Sequence, residues 1–317
     1  MVRGRFNLQE MKSLTTQSKQ RKLFIPDSIF SVLLILPTLI VLGIVIALPM
    51  LKGIYVSFME YKIGNLNAPV WNNFGNYISI FSDGKILKYF MNTIVFVVLV
   101  VSVQFVAGFA VALLLNAQIR WRGGFRAMLL IPWTIPSVVV AILWRWLVHE
   151  QYGSLNYLLF KLGVTDTINV SWLLNPNLAL VAIILAVVWK QLPYMMVMLL
   201  AGLQSVDQSL IEASKIDGAS WHHTLFNITM PAMRPVIITS IWIAVMSNFQ
   251  MYTIIYNITG GGPNDATATL AIAAYKTAFR SFDFGAGSAI GVIWLLFLAA
   301  LTFVNNKLNE KHLNDYK

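Results

Sequence analysis

The 317-residue chain contains no cysteine, which excludes disulfides and thiolate metal sites. It is also short of charge: Asp, Glu, Lys and Arg make up 11% of it, against about 25% in soluble domains. It has no low-complexity linker and no obvious second domain. Nor does it have a Gly-x-x-x-x-Gly-Lys-Ser/Thr loop; GGFRAML at 123–129 has glycines but lacks the lysine, so it cannot cradle nucleotide phosphates. His222 and His223 are adjacent and point apart on a helix, so they make no metal pair, and His149-Glu150 is a loop pair. No nucleophile–base arrangement and no carboxylate pair suited to hydrolysis stands out. What is present is apolar: 57% hydrophobic residues and a mean hydropathy of +0.68. That balance points to an all-α polytopic membrane protein, neither soluble nor an enzyme, with no cofactor expected. In this setting the net charge of +10 reports orientation and contact with membrane lipid, not nucleic acid.

Six apolar runs are long enough to cross a bilayer, at about 20 residues each: 30–53, 89–116, 127–148, 178–203, 232–257 and 285–306. They divide the chain into a basic N-terminal tail (1–29), a six-span domain (30–306) and a C-terminal tail (307–317). The long tail before LLILPTLIVLGIVIALPM reads as the lead to a retained first helix, not a cleaved signal. Six Lys and Arg fall in the first tail, three in the loop 117–126, two in 204–234 and three in the last tail. The opposite loops hold seven. Positive loops stay inside, so both termini and the 204–235 loop are expected in the cytoplasm. Arg145, near the outer end of the third run, snorkels to the interface. On the outer side, SLNYLLFKLG (154–163) reads as a short interfacial helix. NITGGGPNDATATL (257–270) reads as a glycine-proline turn followed by helix.

One polar segment interrupts the greasy pattern: EASKIDGASWHHTLFNITMPAMRP, from Glu212 to Pro235. Upstream, Ser205 and Gln208 fit a capping box that starts a helix, with Asp207 in its first turn. Gly218 ends that helix, a second piece runs from Ser220 to Met230, and Pro231 and Pro235 shape entry into the fifth run. Small residues at Ala213, Ser214, Gly218 and Ala219 suit close docking into a groove, and Glu212 and Asp217 suit basic groups on its wall. The plainer role is an interfacial helix resting on lipid.

These residues carry a resemblance. Glu212-Ala213-Ser214, three residues, Gly218, nine residues, then Ile228-Thr229-Met230-Pro231 resembles the EAA motif of ABC importer permeases. It departs only at Ser214 for Ala and Met230 for Leu. Asp217-Gly218-Ala219, TGGGP (259–263) and FGAGSAIGV (284–292) resemble the maltose-type carbohydrate branch. The resemblance implies an ABC type I importer permease fold in a bacterial inner membrane. It makes the segment a coupling helix that docks on a cytoplasmic ATPase, through Glu212, Ala213, Ser214, Asp217, Gly218 and Pro231. Two ATPase subunits, a second homologous permease subunit, an extracytoplasmic solute-binding protein and a carbohydrate substrate are the implied partners.

Polar groups inside spans are costly and therefore candidates for function. The fourth run carries Lys190, Gln191, Pro193 and Tyr194 near its centre; the fifth carries Ser247, Asn248, Gln250 and Tyr252. In the maltose-type family saccharide contacts come from these two spans, which implies Lys190, Gln191, Tyr194 and Asn248 here. Sugar hydroxyls need paired donors and acceptors beside an aromatic face, and this set supplies them. Each has a plainer role as well. Ser247, Asn248 and Gln250 suit interhelical bonding; Tyr194 and Tyr252 suit packing. Lys190 suits either the carbonyl freed by Pro193 or an acid on the partner subunit. The sharper expectation is that Lys190 meets the carboxylate of an acidic, uronate-type oligosaccharide. A glycerol phosphate importer of the same superfamily is the alternative. A secondary transporter fits less well, for want of a carboxylate within a span.

Overall fold

The computed structural model describes residues 27–64, 69–117 and 120–314. Residues 1–26, which hold the basic residues of the N-terminal tail, lie outside the described residues, as do 118–119 and 315–317. Among the described residues the regular secondary structure is helical apart from one short strand pair and an isolated bridge.

Two compact units are present, Met1–Lys52 and Gly53–Lys317. The helix of the first, α1 (Asp27–Leu42), continues through a π turn (Gly43–Ala47) into α2 (Leu48–Ser57). Pro49 has no N–H to give the Val45 carbonyl, and the wider π spacing falls where that α-helical bond is missing.

In the second unit β1 (Met59–Glu60) pairs antiparallel with β2 (Val70–Trp71). On α3 (Gly75–Ser82) the buried Asn76 ties this ribbon down, its Nδ2 donating to the Ser57 and Met59 carbonyls at 2.8 Å each. Then come α4 (Lys85–Asn116), α5 (Arg122–Thr134), α6 (Ser137–Leu147) and α7 (Ser154–Lys161). α8 (Pro176–Gln204) starts on an Asn175 cap with Pro176 in its first turn. After it follow α9 (Gln208–Ile216), α10 (Trp221–Ala232, with a π turn at Leu225–Thr229) and α11 (Arg234–Phe249). α12 (Thr253–Ile258), α13 (Leu270–Tyr275) and α14 (Phe284–Asn314) complete the chain.

Among the described residues four helical runs are long and apolar enough to cross a bilayer, and the count reaches six when each of two bent pairs is taken as one span. The runs read from the sequence map onto these helices, but two of them are not single rods. Within 127–148, α5 and α6 meet at 95°. Pro136 forces the preceding Ile135 out of the helical region (ψ 132°), and α6 starts afresh from it. Within 232–257 the helix stops at Phe249 and resumes at Thr253, so Gln250 to Tyr252 lie in a link. α10 and α11 are bent by 71° at Met233.

The core is the α4–α8 pair with α6, α11 and α12 around it. Phe96, Val100, Ile183, Met195, Met196 and Leu199 are fully buried there. Lipid offers no hydrophobic drive between helices, so close approach matters. Gly108 supplies it: a Cβ there would lie 2.8 Å from Met195 Cγ. α7 matches its expected place and is pinned by Asn156, which is buried. Asn156 Nδ2 donates to the His149, Glu150 and Val170 carbonyls, and its Oδ1 accepts from the Trp172 indole. The glycine turn folds onto α4 through Asp265. Lys276 pairs with its carboxylate at 2.9 Å, and Asn92 Nδ2 donates to its carbonyl at 2.9 Å. Burial pushes the Asp265 carboxyl up, but Lys276 and the Tyr89 hydroxyl outweigh it and hold the group below its usual range.

Candidate functional site

A cavity of about 730 Å³ opens between the α5–α6 break, α8 and α11. This is within the usual size range of small-molecule sites, roughly 300–1,000 Å³. Lys190, Gln191 and Tyr194 line it from α8, Trp133 and Ser137 from the break, and Trp242, Ser247 and Gln250 from α11 and its end. The remaining lining is apolar, including Ile243, Met246 and Met251. Five of the seven residues expected on a substrate path therefore share one wall.

The α5–α6 break explains how a lysine is tolerated here. Where α5 ends, the Trp133 and Ile135 carbonyls have no helical partner. Lys190 Nζ donates to Ile135 O at 2.5 Å and to Trp133 O at 3.4 Å. The carbonyl freed by Pro193 is not its partner; the carbonyls freed around Pro136 are. One ammonium hydrogen is left over for the cavity. Beside it, the Tyr194 ring packs against Trp133 with centroids 6.4 Å apart, and its buried hydroxyl has no partner among the described residues.

Asn248 and Tyr252 lie elsewhere. Asn248 is buried off the cavity wall. Its Nδ2 donates to the Ala244 carbonyl (2.8 Å), to Gln191 Oε1 (3.2 Å) and to Gln104 Oε1 (3.4 Å). Gln104 Nε2 donates in turn to Gln191 Oε1 at 3.0 Å. This is the interhelical bonding that the sequence offered as Asn248's plainer role, and it joins α4, α8 and α11. Tyr252 stacks on Tyr256 (5.0 Å) and touches Tyr275 (4.8 Å).

The polar segment forms an exposed elbow. Ser205 does not cap its helix: it closes α8, with its hydroxyl on the Gly202 carbonyl. The cap is Asp207, whose carboxylate accepts from Ser209 N at 2.9 Å. That bond holds the Asp207 carboxyl below its usual range. Asp207 outcompetes Ser205 because the chain first has to turn out of α8. At the other end Gly218 adopts φ +74°. Its N–H bonds Lys215 O at 3.1 Å and Ala219 N bonds Ser214 O at 2.9 Å, a Schellman ending. α10 begins at Trp221, next to the expected start, from a Ser220 cap. Glu212, Ala213, Asp217, Gly218 and Pro231 are exposed, whereas Ser214 is buried. Ser214 Oγ bonds Ile211 O (2.8 Å) and Thr224 Oγ1 (3.1 Å), so the residue that departs from Ala clips α9 to α10. Ser214→Ala leaves Thr224 without that partner, at a cost of about 1 kcal/mol. Amide exchange across α9 is expected to run about fivefold faster, read by mass spectrometry. Ile216, 87% exposed, stands one turn from Glu212 on the same helix face. Trp221, also exposed, follows across the glycine bend.

The family model for the binding-protein-dependent transport system inner membrane component matches residues 104–314, covering the elbow and all the cavity residues. The chain belongs to that family. Such a permease works with a binding protein, with ATPase subunits that supply the energy, and with a second permease. It is similar to the trehalose/maltose transport system permease protein MalF of Thermococcus litoralis, 33% identical over 94% of this chain and 98% of that one. It is 32% identical to the sulfoquinovosyl glycerol transport system permease protein SmoG of Agrobacterium fabrum, over 90% and 91%. Its fold resembles a chain in the crystal structure of a bacterial ABC transporter involved in the import of the acidic polysaccharide alginate. The TM-score is 0.76 at 19% identity, over 89% of this chain and 95% of that one. Gln104, Trp133, the Pro136 break, Ser137 and Trp242 were not read from the sequence of the permease. Gln104 had a signal, as a lone amide in VVLVVSVQFVAGF. Among the described residues no cluster of His, Asp or Glu could hold a metal ion.

Proposed function

We propose that this permease forms half of the translocation pore of an ATP-driven importer of sugars or oligosaccharides in a bacterial inner membrane. Its six-span domain (30–306) lies between two cytoplasmic tails; the excess of Lys and Arg in the loops on that side supports this orientation. Two cytoplasmic ATPases close on this elbow and that of a second permease, and the spans tilt from inward-facing to outward-facing. Glu212, Ala213, Asp217, Gly218 and Pro231 form the docking face, and Ser214 holds it in shape. The observation that carries the substrate reading is the single wall shared by Lys190, Gln191, Tyr194, Ser247 and Gln250. Three aromatic side chains, of Trp133, Tyr194 and Trp242, and several hydrogen-bonding groups suit a pyranose ring, and the Lys190 ammonium suits its carboxylate. A glycerol phosphate-type solute is the second reading, favoured by the same ammonium. The permease, expressed with its companion subunits, is expected to copurify with an ATPase whose turnover rises with a saccharide-loaded binding protein. Glu212→Lys is expected to lower that stimulation at least tenfold. An ATPase that ignores every loaded binding protein tried would overturn the reading.

A further inference from the structure

The amide network beside the cavity has a direction, and one contact sets it. Asn248 Nδ2 lies 2.8 Å from the Ala244 carbonyl, which can only accept. Asn248 therefore turns its nitrogen toward the network, where it reaches Gln191 Oε1 and Gln104 Oε1. With its oxygen accepting, Gln104 gives its nitrogen to Gln191 Oε1. The arrangement has a visible cost, because Asn248 Oδ1 is buried without a partner among the described residues. Its consequence falls on Gln191. Two donors occupy the carbonyl oxygen of that side chain, so only its Nε2 hydrogens are left to face the cavity.

The rest of the wall agrees. Lys190 and the Trp242 indole can only donate, while Ser137, Ser247, the Gln250 amide and the unpartnered Tyr194 hydroxyl can each turn either way. Among the described residues no Asp or Glu lines the cavity. A ligand thus meets fixed side-chain donors and no fixed side-chain acceptor. A sugar hydroxyl can accept from such a wall, but it must also place its own hydrogen. An anionic oxygen only accepts, and it leaves nothing unpaired.

We propose that Gln104 and Asn248 are positioning residues that hold Gln191 with its donors toward the cavity, and that the wall so made selects saccharides bearing a carboxylate. This rests on the cavity being the substrate path, and it adds to Lys190 a second, independent reason for an acidic ligand. Digalacturonate and its neutral dimethyl ester are suitable probes, being alike in shape. Their equilibrium binding to the assembled importer in lipid nanodiscs, without binding protein, reads the selectivity of the permease itself. The wild type is expected to favour the acid, and Gln104→Leu to shrink the acid-to-ester preference about tenfold. In a Gln191→Leu background the Gln104 substitution is expected to change that ratio no further, because it acts through Gln191. Gln104→Met keeps the volume and serves if the leucine variant does not assemble. A merely structural role would weaken both ligands by one factor and leave the ratio alone; that result overturns the inference. So does a wild type that binds both probes equally or neither. ATPase stimulation by a loaded binding protein in the same discs tests the importer function separately. Stimulation without acid preference sinks this inference alone, and loss of all stimulation sinks the function.

Discussion

Ile216→Asp is expected to cut the ATPase that copurifies with the permease about 100-fold, while the permease keeps its thermal stability. The two halves of that result come from one fact. Ile216 is 87% exposed at the end of α9, so its own fold loses little when it is replaced. An exposed isoleucine one turn from Glu212 is, however, suited to be the apolar anchor of a docked helix. Such anchors carry roughly 2–4 kcal/mol, and a buried unpaired carboxylate in the same place adds to the penalty. About 2.7 kcal/mol already corresponds to 100-fold. Pull-down of the ATPase and a melting curve of the permease check both halves. Unchanged copurification would mean that α9 rests on lipid, the plainer role its sequence also allowed.

Lys190→Met is expected to reduce uptake of digalacturonate about 30-fold and of its dimethyl ester only a few-fold, in proteoliposomes holding the whole importer. Methionine keeps much of the length and removes the charge. The modest common loss comes from the Ile135 and Trp133 carbonyls, which lose their ammonium and must turn to water. The selective loss comes from the charge itself. A hydrogen bond to a charged group is worth about 1.5–3 kcal/mol, or roughly 10–150-fold. Equal loss for both probes would confine Lys190 to bracing the α5–α6 break.

Some of this was legible in the residues and some was not. The six apolar runs followed from composition, because the bilayer demands length and greasiness before it demands anything else. The elbow followed from Gly218 and its spacing to Glu212, since only local backbone geometry was at stake. Ser205 misled because a capping pattern does not reveal that the previous helix still needs an ending. Lys190 stands out in the sequence as a cation inside an apolar span, but its hydrogen-bond partners in the structure do not include the own-helix carbonyl freed by Pro193. They lie 55 and 57 residues away, on a break made by Pro136. The family resemblance implies Asn248 on the substrate path, yet helix rotation turns it off the cavity wall and into contact with Gln104, 144 residues distant.

By itself the sequence determined the membrane class, the helix–glycine–helix elbow, and which polar side chains had been carried into apolar spans. Those are properties of composition and of neighbours within a turn or two. Tertiary packing alone decided which of those side chains face the cavity, which bind one another, and which end of the Gln191 amide is presented. An amide has no preferred end until a carbonyl with only lone pairs to offer, here that of Ala244, chooses one for it.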